Sequence, residues 1–257
     1  MKKIKQIVAL LGIILLLFIA NILISTGFFR TVENQFDGTT FKKIPIKGAE
    51  DITLSVLDSF ALVSATSRNK LPTTKEEFGG LYFIDLKNTD FKTTLLTANF
   101  PTSFAPHGIS MLKTDSTYTV MAINHTPRGS AIEVFTLHGD SLAHNKTLSD
   151  PSMISPNDIV LLDEKRFYFT NDHRYTEGIG LFFEEYGGRS ISNVVYFDGK
   201  NYTEVAGGIA YANGINFDAK RNLLFVASPR KFLVKVYSKN DDGSLNFIED
   251  IPCGFGV

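Results

Sequence analysis

The feature that most constrains this chain is a strand-rich unit that recurs four times at intervals of 50 to 57 residues. Each copy opens with a polar pair and an Ile, followed by an apolar strand, a turn containing Asp or Lys, and a second apolar strand. The copies are EDITLSVLDSFALVSAT from Glu50, HGISMLKTDSTYTVMAINH from His107, NDIVLLDEKRFYFTND from Asn157 and NGINFDAKRNLLFVASP from Asn213. The shared residues are Ile52, Ile109, Ile159 and Ile215. A period near 50 residues, with about four strands per unit, is typical of a β-propeller blade whose inner strand faces a central channel.

The rest of the pattern is that of an all-β protein. From about Gln35 onward, short apolar or alternating runs are separated by Gly, Asn, Asp and Pro, and no window keeps a 3.6-residue apolar period. The 22 Phe and 9 Tyr residues, together with many Val, Ile and Thr, also favour strands. Residues 31–257 are therefore expected to form a β-propeller region, with room for about four blades at this period.

Charge and cysteine content exclude several classes of function. The chain has 26 Lys plus Arg and 27 Asp plus Glu, a formal net charge of -1 that gives no basic footprint for nucleic acid. The single cysteine, Cys253, excludes an internal disulfide and a zinc site built on several thiolates. Metal chemistry in this chain must therefore use oxygen and imidazole ligands.

The N-terminal segment differs from the rest of the chain. Residues 7–29 are 23 uncharged residues preceded by Lys2, Lys3 and Lys5. As a helix they reach roughly 34 Å, enough to cross a hydrocarbon layer of about 30 Å. The run is longer than a signal-peptide core and lacks a small-residue cleavage pattern, so residues 1–30 are expected to be an uncleaved signal anchor. The lysines favour a cytoplasmic N-terminus, with the body on the extracytoplasmic side, periplasmic or extracellular. The alternatives are a cleaved signal peptide with a secreted body, and a buried core helix.

The four opening polar pairs are expected to meet at one end of the propeller channel, because equivalent residues of successive inner strands lie at the same level. Together they bring three carboxylates, two Asn amides and one His to this end. Burying such a group is costly unless a cation offsets the negative charge. Oxygen donors without a thiolate suit Ca²⁺ better than zinc, and better than Mg²⁺ with its octahedral, water-rich shell. The alternative is that these residues only form turns.

Six short motifs resemble the paraoxonase and arylesterase family of calcium-dependent lactonases, in that family's order and from about residue 41 to the end. They are EDI at Glu50, FAPHGIS at Phe104, INH at Ile123, PNDIV at Pro156, YFTNDH at Tyr168 and ANGINF at Ala212. The resemblance implies a six-bladed propeller with one catalytic and one structural calcium ion in its channel. It also implies an N-terminal apolar helix that is retained as an anchor.

The resemblance also implies which residues bind the two calcium ions. The catalytic ion would be bound by Glu50, Asn157 and Asn213, and the structural ion by Asp51, Asp158 and the backbone carbonyl of Ile109. In the family, the segment that matches the end of this sequence continues with an Asp-Asn pair, which completes the catalytic shell, and with two further blades. We therefore expect that the sequence ending at Val257 is incomplete.

The expected reaction is hydrolysis of a lactone or an aryl ester. A small-molecule lactone or ester is therefore the expected partner of this chain. His107 would activate water and His125 would orient it or relay its proton, while Asp172 is expected to face the pocket. The alternatives are a hydrogen-bonded core role for His107 and a turn role for His125. At the level of function, one alternative is a gluconolactonase-like sugar lactonase, which lacks the histidine pairing. Another is a non-catalytic anchored propeller in which calcium is structural.

Overall fold

The computed structural model describes residues 1–29, 31, 37–67, 79–127 and 129–253. These residues form four antiparallel sheets of four strands each, and the strands of each sheet follow sequence order from the inner to the outer edge or the reverse. Blade 1 contains β1 (Ala49–Ser55), β2 (Phe60–Thr66), β3 (Gly79–Asp85) and β4 (Thr93–Leu95). Blade 2 contains β5 (Pro106–Thr114), β6 (Thr117–Thr126), β7 (Gly129–His138) and β8 (Ser141–Leu148).

The other two blades repeat this arrangement. Blade 3 contains β9 (Pro156–Leu161), β10 (Phe167–Asn171), β11 (Ser192–Phe197) and β12 (Tyr202–Ile209). Blade 4 contains β13 (Ile215–Asp218), β14 (Leu223–Ser228), β15 (Leu233–Lys239) and β16 (Leu245–Pro252). The predicted all-β propeller with about four blades and an N-terminal apolar helix is confirmed.

Adjacent blades pack through apolar side chains that their strands direct toward each other. Leu62 of blade 1 and Val120 of blade 2 belong to one buried cluster, and Ile123 of blade 2 and Phe169 of blade 3 belong to the next. A third cluster joins blades 3 and 4. Burying a side chain of this size contributes about 1.5–3 kcal/mol, so the stacked blades stabilise one another. The inner strands of neighbouring blades are in contact, β1 with β5, β5 with β9, and β9 with β13.

The N-terminal helix α1 (Lys2–Ser25) has 24 residues and no buried side chain. It is the one helix in the described part of the chain that is long and apolar enough to cross a membrane, a test that a signal sequence also passes. It starts earlier and ends earlier than the uncharged run at 7–29. The helix ends because Gly27 adopts φ 69°. The amides of Gly27 and Phe28 then bond back to Ile24 and Leu23 at 3.1 and 3.0 Å, which is a Schellman cap.

A second helix, α2 (Gly178–Glu185), lies between β10 and β11, and the sequence pattern did not predict it. It has only 8 residues, too few to show a sustained helical period. The buried carboxylate of Glu184 holds it in place by accepting the backbone amides of Arg174 and Tyr175 at 2.9 to 3.1 Å.

Candidate active site at one end of the inner strands

The polar pair that opens each of the first three repeats lies at a β-bulge. In blade 1, Ala49 and Asp51 pair with the adjacent residues Ala65 and Ser64, so Glu50 is the extra residue. A bulge leaves one residue outside the ladder and turns its side chain away from the regular alternation. Glu50 therefore leaves the ladder at the point where the inner strand begins.

The same irregularity recurs in the next two blades. In blade 2, His107 and Gly108 lie opposite the single residue Ile123. In blade 3, Asn157 and Asp158 lie opposite the single residue Thr170. Because the bulges fall at equivalent positions, successive inner strands present their polar pairs at one end of the channel.

Gly108 allows the inner strands of blades 2 and 3 to approach closely. A Cβ at this position would lie 2.5 Å from both Cα and Oδ1 of Asp158, and 2.6 Å from the backbone oxygen of Asn157. Two of these three atoms are backbone and cannot move without shifting a strand. The close contact between blades 2 and 3 therefore requires glycine at position 108.

Replacing Gly108 by Ala is expected to lower the free energy of unfolding by about 3 kcal/mol or more, because the added methyl overlaps backbone that is fixed on both sides. The matched control is Gly214→Ala, the equivalent position in blade 4, where a Cβ would find its nearest atoms at 3.8 and 3.9 Å. Urea denaturation of the two variants measures the difference. Equal effects at the two positions would show that the close approach at Gly108 is not a constraint.

Blades 1 and 2 are joined at this end by two polar bonds. The carboxylate of Asp51 accepts the backbone amide of Ile109 at 2.8 Å. The buried hydroxyl of Ser64 donates to the carbonyl of His107 at 2.5 Å. These bonds fix the level of His107 relative to the start of β1.

Blades 3 and 4 are joined in the same way, by the equivalent residues of the repeat. The carboxylate of Asp158 accepts the backbone amide of Ile215 at 2.7 Å. The hydroxyl of Thr170 donates to the carbonyl of Asn213 at 2.7 Å. Asn213 is therefore held through its backbone carbonyl, close to the segment of blade 3 that contains Asp158.

The two inner carboxylates lie beside a cavity of about 370 Å³ between the inner strands, whose lining includes Asp51, Ile109, Asp158 and Gly214. Burial raises the pKa of Asp158 to about 8, and repulsion by Asp51 adds to this effect. Burial also raises the pKa of Asp51, although two backbone amides oppose it. Asp158 is partly exposed to solvent because it faces the cavity. The surrounding protein nevertheless disfavours the ionised form of its carboxyl group. A cation bound beside these two carboxylates would offset this cost.

The donor atoms of the predicted ligands fit calcium better than a transition metal, and the structure places three of these ligands, Asp51, Ile109 and Asp158, along one cavity. Among the residues that the structure describes, no group of three or more His, Cys, Asp or Glu side chains could hold a metal ion. The predicted ligands are of a different kind, because they include the amides of Asn157 and Asn213 and a backbone carbonyl. Calcium accepts carboxylate, amide and backbone oxygens together in a flexible shell.

A row of hydrogen-bonded side chains runs from Glu50 through the two predicted histidines. Glu50 Oε1 lies 2.7 Å from His107 Nε2, and His107 Nδ1 lies 3.0 Å from His125 Nε2. His125 Nδ1 lies 3.1 Å from Ser130 Oγ. Ser130 was not found by sequence reasoning, although His125 and Ser130 pair directly in the β6–β7 hairpin. Both ring nitrogens of each histidine thus face a polar group.

Asp172 directly follows β10 and lies next to Asn157. It accepts hydrogen bonds from Asn157 Nδ2 at 3.0 Å, Ser155 Oγ at 2.5 Å and His173 Nδ1 at 2.8 Å. Burial acts to raise the pKa of Asp172, but the hydrogen bonds from His173, Ser155 and Asn157 outweigh it and keep the pKa below its usual range. Because Asn157 uses its amide nitrogen here, its amide oxygen points away from Asp172.

The fold and this site together define a β-propeller protein with carboxylates, amides and a histidine pair at one end of its channel. A family model described as Arylesterase matches residues 40–255, so the chain belongs to the arylesterase family. This finding confirms the family that the sequence motifs predicted.

Relatives with known names support the same assignment. The chain is 34% identical over 214 residues to serum paraoxonase/arylesterase 2 of Gallus gallus, a match that covers 79% of this chain and 60% of that protein. It is 35% identical over 146 residues to serum paraoxonase/arylesterase 1 of Mus musculus, covering 56% of this chain and 41% of that protein. The chain therefore spans about 40 to 60% of the length of these two relatives.

Solved structures with similar folds are more distant in sequence. The nidogen/laminin complex matches with a TM-score of 0.57 at 18% identity, covering 84% of this chain and 70% of that chain. The calcium-binding protein regucalcin of Agrobacterium tumefaciens matches with a TM-score of 0.51 at 13% identity, covering 84% of this chain and 62% of that chain. These likenesses concern the fold alone.

Proposed function

We propose that this chain carries the active site of a calcium-dependent hydrolase of lactones and aryl esters. The observation that supports this most is the row in which Glu50, His107 and His125 are connected at 2.7 and 3.0 Å, at the end of the channel where the inner carboxylates lie. Membership of the arylesterase family supports the same reaction class.

Two calcium ions are proposed to bind at this end. One is assigned to Glu50, Asn157 and Asn213, and the other to Asp51, Asp158 and the carbonyl of Ile109. The raised pKa values of Asp51 and Asp158 support a cation there, because they reflect a cost that bound positive charge removes. When bound, calcium polarises a substrate carbonyl and stabilises negative charge on its oxygen.

His107 is proposed to take a proton from the attacking water. His125 is proposed to orient the imidazole ring of His107. In the structure, Nε2 of His107 faces Glu50 and Nδ1 faces His125. Were Glu50 to bind the cation, Nε2 of His107 would be available to water. His125, held by Ser130, fixes the ring and shares the proton across the 3.0 Å hydrogen bond.

Asp172 is proposed to support the pocket by orienting a calcium ligand. Its hydrogen bond from Asn157 Nδ2, 3.0 Å long, keeps the amide oxygen of Asn157 on the side away from Asp172, where it would be available to the proposed ion. Groups that hydrogen-bond to a metal-binding side chain commonly orient it in this way.

The experiment that tests the proposal is hydrolysis of a panel of lactones and of phenyl acetate by the full chain in detergent, with calcium and with chelator. Turnover that requires calcium supports the proposal. Turnover that survives full chelation would contradict it. Calcium-dependent stability without turnover would instead favour a propeller in which calcium is only structural. Calcium-dependent turnover of sugar lactones that persists without the histidine pair would favour the gluconolactonase-like alternative.

The helix α1 is proposed to remain in the mature protein as an anchor, with the body on the extracytoplasmic side. We expect the full-length chain to stay in the membrane fraction after a high-pH carbonate wash, because none of the 24 helix residues is buried inside the protein. Protease added from the extracytoplasmic side, to intact cells or to spheroplasts, is expected to remove the body. A soluble, N-terminally shortened product in the medium would instead indicate cleavage and secretion.

A further inference from the structure

A buried polar network lies behind the histidine pair, within blade 2. Its centre is Glu133 on β7, which is 3% exposed, together with Asn124 on β6, which is 0% exposed. Neither belongs to the residues assigned above. A carboxylate and an amide buried this deeply are costly unless each of their polar atoms is bonded.

Every side-chain polar atom of the two residues is satisfied within the network. Asn124 Nδ2 donates to Glu133 Oε1 at 3.0 Å and to the carbonyl of Ser103 at 3.3 Å. Glu133 Oε2 accepts from Thr147 Oγ1 at 2.6 Å and from His144 Nε2 at 2.8 Å. An ionised carboxylate accepts hydrogen bonds and donates none, so Glu133 fixes which arm of the Asn124 amide faces it.

The other arm of Asn124 acts on the segment that carries His107. Asn124 Oδ1 accepts the backbone amide of Ala105 at 2.9 Å. The carbonyl of Ala105 in turn accepts the backbone amide of His125 at 3.1 Å. Both backbone polar atoms of Ala105 are thus bonded to the Asn124–His125 dipeptide, two residues before His107.

We propose that Glu133 and Asn124 are positioning residues that hold the strand segment of His107 against His125, so that the two imidazoles stay in hydrogen-bond contact. This inference rests on the proposed function of the histidine pair. A misplacement of about 1 Å in a reacting group can cost about 100-fold in rate, so a network that sets this distance affects kcat.

The test exchanges the donor and the acceptor. Glu133→Gln keeps the shape of the side chain but no longer dictates the Asn124 orientation. Asn124→Asp places two carboxylates face to face. The double variant Asn124→Asp/Glu133→Gln restores one hydrogen bond with reversed polarity, and leaves an oxygen at position 133 for Thr147 and His144. The carbonyl of Ser103, which accepts from Asn124 Nδ2 at 3.3 Å, loses its donor in both variants that carry Asp at position 124.

Each single variant is expected to lower kcat about 10- to 100-fold with KM changed less than about twofold, and the double variant to recover part of the loss caused by Asn124→Asp. The second readout is independent of turnover: the ¹⁵N imidazole resonances of His107 and His125 should move in the single variants and return in the double variant. The chain has 5 histidines, so these signals can be assigned by substitution.

The matched control is Tyr118→Phe, at the opposite end of β6, which removes a buried hydroxyl that lies 2.6 Å from Ser55 Oγ. It should lower the melting temperature while leaving kcat unchanged. If Asn124→Asp does not fold, Glu133→Gln alone carries the test. Single variants with wild-type kcat and unmoved resonances, or a double variant no better than Asn124→Asp, would overturn the inference. A wild-type chain without turnover would refute the proposed function, and the resonances would still test the positioning.

Discussion

Replacing His107 by Gln is expected to lower kcat/KM for lactone hydrolysis by about 10² to 10⁴-fold, the range typical for loss of a general base. Gln retains hydrogen-bonding capacity toward Glu50 and His125, which lie 2.7 and 3.0 Å from the His107 ring. The fold should therefore persist while proton uptake is lost. Steady-state kinetics on the full chain with saturating calcium measure the effect.

The control is His138→Gln, the same substitution at an exposed histidine at the end of β7. It should leave kcat/KM unchanged. Retained activity in His107→Gln would contradict the role proposed for the pair, and would favour a sugar lactonase that works without it.

Calcium is expected to stabilise the wild-type chain by about 2.7 kcal/mol for each site when the ion is present at 100 times its dissociation constant. Asp158→Asn should remove most of this gain. An unfolded carboxyl of ordinary pKa ionises at lower pH, so at pH 7 the metal-free fold must keep Asp158 protonated, which costs stability. The neutral amide avoids this cost but loses one of the two bonds that the Asp158 oxygens accept from the amides of Ile215 and Ile159, so the two effects offset each other without calcium. It also offers a cation one oxygen in place of two.

Thermal unfolding with calcium and with chelator measures the difference. In chelator, Asp158→Asn should melt close to the wild type, and with calcium it should fall well below. The matched control is Asp198→Asn, in an exposed turn of the same blade where the carboxylate accepts the amides of Lys200 and Asn201. It should keep the full calcium-induced increase. An equal increase in all three proteins would refute a calcium role for Asp158.

The repeat and the strand pattern were sufficient to predict the fold and the end of the blades where the polar pairs lie. Each repeat carries its own hydrophobic alternation and turn residues, and this information is local in the sequence. Glu50, His107 and Asn157 could be chosen in this way because they begin inner strands. The family resemblance then supplied their expected chemical roles.

The remaining features depend on pairing between strands, which no local pattern encodes. The bulges that displace Glu50 and His107 from the regular ladder can be recognised only when the pairing register with the neighbouring strand is known. The need for Gly108 comes from Asp158, which is 50 residues away along the chain. Glu133 reads as one charged residue in an alternating strand, and only its burial against Asn124 indicates that it matters.

The most direct test is a crystal structure of the full chain grown with calcium, with anomalous diffraction recorded to locate the ion. We predict anomalous peaks at the starting end of the inner strands, about 2.3–2.6 Å from carboxylate oxygens of Asp51 or Asp158 and of Glu50. Calcium-replete crystals that show ordered carboxylates and no anomalous peak at this end would contradict the account.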